Sequence, residues 1–397
     1  MSNKPIPYGR QNITDDDIQA VIETLQSEYL TQGPKIIEFE KAFANYIGCK
    51  YAVAVANGTA ALHLCTLALG VNEQDKVITT PITFAASANC IRYCGGEVAF
   101  CDIDPETYLL DIDKLRVLLE SSPKGTYKGI IPVDFAGHPV DLEKLRILAD
   151  EFNLWIIEDA CHAPGGFFID SRGKRQNCGN GQFAELAIFS FHPVKHIACG
   201  EGGMVTTNDE SLYQKLLQLR THGIIKKEDL FRNTKDLASG KENTYDYPGW
   251  YMEMQSLGFN YRLTDFQAAL GISQLKRAEK GLRKRRDIAE IYETSFRGKS
   301  YVNGQSGLIE GHAYHLYILL TVDRLGLYNY LKDNGIFAQV HYIPCHLMPY
   351  YKDLGWKEGD MPSSEGYYKE CLSLPMYPTL TETEQQFVIN KIDEFYN

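Results

Sequence analysis

Two short stretches of this chain carry residue types that could do chemistry together. In the first, Phe183 to Asn208, the apolar run Leu186 to Phe191 reads as a buried strand. It passes through Ser190, Phe191, His192 and Pro193 and delivers Lys195 just ahead of a glycine-rich segment, Gly200 to Gly203. A lysine on a short loop between two apolar strands is shielded from water. Shielding disfavours the ammonium and leaves an amine able to attack a carbonyl. A Schiff base is the natural use, although on this segment alone a solvated surface charge fits as well. In the second stretch, Leu154 to Ala160 (LWIIEDA), apolar residues run directly into Glu158 and Asp159. At least one carboxylate is thereby forced to the end of an interior strand, where burial must be offset by a cation.

A core arginine would serve as that cation. So would the protonated ring nitrogen of a pyridoxal cofactor, which a neighbouring carboxylate keeps charged and therefore a better electron sink. A third stretch offers an anion site. Tyr51 to Ala56 reads as a strand, Asn57, Gly58 and Thr59 as a tight turn, and Ala60 to Leu69 as a helix closed by Gly70. Free N–H groups and the helix dipole both point at such a turn, which suits a phosphate. An ordinary strand-to-helix turn fits the same three residues.

The elements that must position these residues alternate. Strand Lys76 to Thr80, helix Phe84 to Tyr93, strand Val98 to Asp102, helix Asp111 to Glu120, strand Gly129 to Phe135 and helix Asp141 to Phe152 follow in order. Strands separated by helices predict an α/β domain with a mostly parallel sheet covered on both faces and ligands beyond the strands' carboxyl ends. Pro81 to Phe84 and Asp134 to His138 fall there. Ahead of this core, residues 1–14 read as an extended arm entering a helix capped near Thr14, with Asp15, Asp16 and Asp17 in its first turn. A connector, Glu28 to Pro34, leads to a second amphipathic helix, Ile36 to Ile47. After helix Asp209 to Thr221 comes a polar insertion, Ile225 to Ser256, suited to a surface loop or a lid. Gln274 to Tyr292 reads as one long basic helix, a solvated connector into a smaller α+β domain with strand Tyr314 to Thr321, helix Leu325 to Asn334 and strand Phe337 to Ile343.

SFHPVK followed by GEGGMVTTND resembles the lysine segment of the DegT family of sugar-nucleotide aminotransferases, which are pyridoxal-phosphate (PLP) enzymes of fold type I. The likeness covers nearly the whole chain. It implies PLP as cofactor, with Lys195 as the Schiff-base lysine that also moves protons. It places Asp159 on the ring nitrogen, His162 beside the ring, Phe84 stacked on it, and Gly58, Thr59 and Ser190 at the phosphate. It implies a homodimer in which Asn260 crosses to the phosphate of the neighbouring site. Tyr8, Glu28, Tyr29, Leu30 and Thr31 at the amino end, and Tyr314, His315, Tyr317 and His341 later, are implied near the sugar nucleotide. Within the family, the resemblance is to members that move an amino group from L-glutamate to C4 of a UDP-linked 4-keto-6-deoxy-N-acetylhexose in pseudaminic acid biosynthesis. Sugar dehydratases of the same fold carry histidine in place of the lysine, so Lys195 argues against that chemistry. A non-catalytic regulator would show loss of the imine-forming residues or an added DNA-binding segment, and neither is visible in the sequence.

Composition bounds the rest. The 397 residues, 44% hydrophobic, can bury a large core and divide by length into a large domain, 1–270, and a small one, 271–397. A net charge of -11 repels nucleic acid and anionic membrane, so any phosphate ligand must be held locally. Ten cysteines lie scattered, several in apolar runs (Cys65, Cys90, Cys94, Cys101), and read as reduced thiols rather than disulfides or metal ligands. No leader-like apolar segment opens the chain and none approaches the roughly 18 residues of a membrane span. A cytoplasmic protein is expected.

Overall fold

The computed structural model describes residues 5–303 and 307–397. Its centre is a seven-stranded sheet in the order Tyr51–Val55, Gly203–Thr207, Leu186–Ser190, Trp155–Asp159, Gly129–Ile131, Lys76–Thr79, Glu97–Phe100. Gly203–Thr207 runs antiparallel to both neighbours, and all other pairings are parallel. The mostly parallel α/β sheet expected from the alternation is therefore present.

Successive strand residues point to opposite faces, and both faces here are apolar. Val77, Val98, Ile131 and Ile157 join the cluster under helix Gly58–Ala68, whereas Ile78, Ala99, Ile130 and Ile156 join the one under helices Ile112–Glu120 and Leu142–Phe152. This two-sided burial explains why these strands read as unbroken apolar runs rather than alternating ones. Each fully buried Val or Ile contributes about 1.5–3 kcal/mol. A third cluster joins helix Ala278–Phe296 to strands Tyr317–Thr321 and Cys371–Leu374 and to helix Glu382–Tyr396. The amino-terminal arm is fastened to that part of the chain through Ile6–Pro7, which pairs in parallel with Ile336–Phe337.

Several boundaries differ from expectation for identifiable reasons. The strand predicted over 129–135 stops at Ile131, because Pro132 has no N–H to continue the ladder. The chain then enters a tight turn with Ala136 at φ 59° and Gly137 at φ 98°. The helix predicted from Phe84 begins at Ala86, which leaves Phe84 on the preceding turn. The strand predicted over 337–343 keeps regular pairing only at Ile336–Phe337, with one later bridge from Gln339 to Ser373. The long basic helix is two helices, Asp265–Leu275 and Ala278–Phe296. The break falls at Lys276 and Arg277, where the Arg277 guanidinium turns onto the buried carboxylate of Asp17, with Nη1 2.7 Å from Oδ1. Because Asp17 is fully buried, Arg277→Met leaves an anion without its cation. A loss of about 3 kcal/mol in urea unfolding is expected.

Candidate active site

The carboxyl ends of the parallel strands open into one cavity of about 650 Å³. Lys195 reaches it from the loop after Leu186–Ser190, a turn closed by the Lys195 N–H donating to the His192 carbonyl at 2.9 Å. Its Nζ lies 3.4 Å from His315 Nε2. Desolvation by surrounding protein brings the lysine from 10.5 down to about 8. The charge of Arg285 works in the same direction, and Cys161 and Asp159 oppose it. His315 is itself buried and held well below its ordinary value, first by burial and then by the Lys195 charge, so it is a neutral imidazole.

Asp159 ends its strand on the same cavity. Its Oδ2 accepts from Ser87 Oγ at 2.7 Å and its Oδ1 from the Cys161 N–H at 3.2 Å. Since Ser87 spends its proton on the carboxylate, the 2.7 Å contact between Thr83 Oγ1 and Ser87 Oγ has Thr83 as donor. Among the described residues Asp159 forms no ion pair within 4.0 Å, although it is only 5% exposed. A buried carboxylate in that state suits a cationic ligand. His162 stands beside it. The Ala136 N–H donates to His162 Nδ1 at 3.2 Å, so the ring proton is on Nε2, which faces Tyr342 Oη at 3.3 Å. Burial keeps this ring uncharged.

The third wall is the start of helix Gly58–Ala68. Asn57 Oδ1 caps it by accepting from the Ala60 N–H at 2.8 Å, and the Gly58 and Thr59 N–H groups have no hydrogen-bond partner among the described residues. Two glycines let the backbone come this close. A Cβ at Gly203 would lie 2.5 Å from the Asn57 carbonyl oxygen, and one at Gly58 would lie 3.1 Å from Ser190 Cβ. An amine, a buried carboxylate and an anion-binding helix end thus surround one space. Together they fit a ligand with an aldehyde, a basic ring nitrogen and a phosphate, which is the donor set that PLP requires.

The remaining residues expected at the site divide into two groups. Tyr8, Phe84 and His341 border the same cavity. Phe84 is 62% exposed at its mouth, with its ring 6.2 Å from that of Tyr342. Tyr8 and His341 have rings 5.0 Å apart, and His341 Nδ1 meets Ser373 Oγ at 2.8 Å. The others lie elsewhere within this chain. Glu28, Tyr29, Leu30 and Thr31 form an exposed connector tied down by the Asp265 N–H donating to the Leu30 carbonyl. Asn260 is exposed and bridges to Thr221. Tyr314 and Tyr317 border a separate hollow of about 40 Å³ with His138 and His312. Ser87, Cys161 and Tyr342 line the cavity without having been singled out. A serine inside a helix and a cysteine after a turn carry no spacing signal, whereas Tyr342 directly follows the expected His341.

Behind the site lies a pair of carboxyls. Glu158 and Asp134 are each about 1% exposed, and their oxygens lie within 4.8 Å of each other and of Cys178 Sγ. The Gly179 N–H donates to both oxygens of Glu158, and the Val140 N–H to Asp134 Oδ1. Neither carboxyl has an ion-pair partner within 4.0 Å among the described residues, so the two share a proton. Burial raises Asp134 from 3.8 to about 6. Burial, and then the Asp134 charge, raises Glu158 well above its ordinary 4.5. Raised folded-state values mean that the protonated pair's contribution to stability is full below the unfolded carboxylate range, that Asp134's share is lost as pH rises through about 6, and that Glu158's share is lost as pH rises further. Glu158→Gln, which holds the neutral form permanently, is therefore expected to show a Tm that improves relative to the parent as pH is raised from 5 to 8. Scanning calorimetry across that range reads the difference.

The DegT/DnrJ/EryC1/StrS aminotransferase family profile matches residues 11–393. The chain is 38% identical over 400 residues to the spore coat polysaccharide biosynthesis protein SpsC of Bacillus subtilis, covering 98% of this chain and 97% of that protein. It is 36% identical over 390 residues to the UDP-4-amino-4,6-dideoxy-N-acetyl-beta-L-altrosamine transaminase of Campylobacter jejuni, covering 96% and 95%. A putative sugar aminotransferase from Streptococcus pneumoniae, solved in a PLP form, superposes with a TM-score of 0.85 at 27% identity over 98% of each chain. A cavity fitted to PLP, in a fold shared over nearly the whole length with these proteins, places the chain in the DegT/DnrJ/EryC1/StrS aminotransferase family as a PLP-dependent sugar aminotransferase.

Proposed function

We propose that this enzyme transfers an amino group from L-glutamate to C4 of a UDP-linked 4-keto-6-deoxy-N-acetylhexose, giving UDP-4-amino-4,6-dideoxy-N-acetyl-β-L-altrosamine for pseudaminic acid biosynthesis. The observation that carries the reading is the Lys195 amine, lowered to about 8, bordering the same cavity as Asp159. The likeness to the Campylobacter jejuni transaminase supports the choice of sugar. Bound PLP supplies an electron sink for the carbanion left when an amino acid loses its α proton. Lys195 Nζ is the base that takes that proton and the acid that returns one at C4 of the acceptor. Asp159 would hold the ring nitrogen of bound PLP in its charged form, and the Gly58 and Thr59 N–H groups, with the Ser190 hydroxyl, would hold its phosphate. Tyr8, His315 and His341 meet the sugar. A panel of UDP-linked 4-keto-6-deoxy hexoses with glutamate as donor tests the assignment. Amination of the N-acetylated L-sugar well above all others is the expected result, and preference for a different sugar would move the enzyme within its family. The 38% identity to the spore coat polysaccharide protein favours that second reading, another nucleotide-linked keto sugar.

The working unit in this reading is a cytoplasmic homodimer. Asn260 and the Glu28 to Thr31 connector lie on the exposed surface and outside their own chain's cavity, where they are available to a neighbouring site. Mixing Lys195→Ala and Asn260→Ala chains is expected to recover roughly a quarter of parental activity, since random pairing leaves one of the two sites in half of the dimers intact. Recovery indistinguishable from zero would count against shared sites.

A further inference from the structure

Helix Ala278–Phe296 buries a stripe at helical spacing, and Leu282, Arg285, Ala289 and Tyr292 all lie on it. Arg285 is the member that does not suit an apolar stripe. It is 1% exposed, and burial lowers its guanidinium from 12.5 only to about 10, so it stays a cation at neutral pH. It has no ion-pair partner within 4.0 Å among the described residues, and its buried Nε and Nη2 have no hydrogen-bond partner. An uncompensated buried charge is costly, and an apolar side chain of similar volume would fill the stripe without that cost.

What Arg285 does hold is backbone. Its Nη1 donates to the carbonyls of Tyr314, His315 and Met376 at 3.2, 3.1 and 3.0 Å. The carbonyls just ahead are held in the same way, His312 by Arg286 Nε at 3.1 Å and Ala313 by His196 Nε2 at 2.9 Å. Every carbonyl from His312 to His315 is therefore taken by a side chain. Within this segment Tyr314 sits at φ 46°, a left-handed conformation that a tyrosine keeps only where its surroundings impose it. The same segment sets His315 Nε2 3.4 Å from Lys195 Nζ.

Few of the groups that face the amine carry charge. Burial holds His162, His196, His315 and His341 uncharged, and it keeps Cys161 a thiol by raising it well above its ordinary value. The formal charges that act on Lys195 are then Asp159, which borders the cavity, and Arg285, which does not. We propose that Arg285 is a positioning residue for amine transfer. It fixes the backbone that carries His315 to Lys195, and it places a permanent positive charge one residue away from the amine, which favours the uncharged, reactive form. The inference rests on Lys195 being the reacting amine, as proposed above.

The test reads the amine by itself. The full-length chain, freed of cofactor, is exposed to cyanate, which carbamylates uncharged amines only, across a pH series, and peptide mapping follows the label on Lys195. The parent should show a midpoint near 8. Arg285→Gln can still donate to a carbonyl but carries no charge, so its midpoint should rise and labelling at pH 7 should slow roughly tenfold, the factor that one pKa unit represents. Arg285→Met, uncharged and suited to the apolar stripe, replaces it if the glutamine variant does not fold. Arg285→Lys, whose ammonium can take the same carbonyls, should recover most of the difference. On the holoenzyme, the single-turnover rate at saturating glutamate should fall in the uncharged variant at pH 7 and return as pH is raised. A rate lowered equally at every pH, or a labelling midpoint equal to the parent's, would overturn the role of Arg285 and leave Lys195 as the reacting amine. A cofactor found on a different lysine would overturn both.

Discussion

Lys195→Ala is expected to lower kcat by about 10⁴-fold, the upper end of what a positioned acid–base group supplies, while leaving the fold intact. The side chain is half-buried and its amine has one side-chain hydrogen-bond partner among the described residues, His315 at 3.4 Å, so little is lost with it. Lys195→Arg should be no better than alanine. A guanidinium stays protonated at any working pH and can neither form an imine nor accept the α proton. This pair separates chemistry from charge, because arginine preserves the positive charge near Asp159 and restores nothing if the amine itself is what matters. Single-turnover mixing with glutamate alone reads the first proton transfer free of sugar binding. A Lys195→Ala protein turning over at the parental rate would remove the amine from the reaction.

Asp159→Asn is the second large effect, expected to lower kcat by about 10²–10³-fold, as for loss of one preorganised electrostatic partner. Asparagine keeps the shape and can still accept from Ser87 Oγ, so the Thr83–Ser87 chain survives. What it cannot do is hold a proton on a ring nitrogen by its charge. Stability is expected to change little or rise, because the substitution removes a carboxylate only 5% exposed that has no ion-pair partner among the described residues. Cofactor affinity should fall together with kcat. A variant that lost stability and kept kcat would make Asp159 a structural residue.

The parts of this site that could be read from sequence share one property, a local conflict with burial. An apolar strand ending in Glu158 and Asp159, and another delivering Lys195, both place charge where water is scarce, and that conflict is visible without a structure. The sheet was legible for a similar reason. Both of its faces are covered, so runs such as Val77–Ile78 and Ile156–Ile157 stay apolar throughout. Contacts made across the chain left no such trace. The helix break at Lys276 and Arg277 is set by an ion pair with Asp17, 260 residues away, in a segment whose helix propensity is continuous. Ser87 holds Asp159 from a distant helix, and nothing in its neighbours announces the role.

Borohydride reduction of the purified protein followed by peptide mapping tests the central claim most directly. If Lys195 carries the cofactor, the yellow colour is lost and a pyridoxyl group is found on Lys195. A label on any other lysine, or a protein with bound PLP and no reducible link, would contradict it.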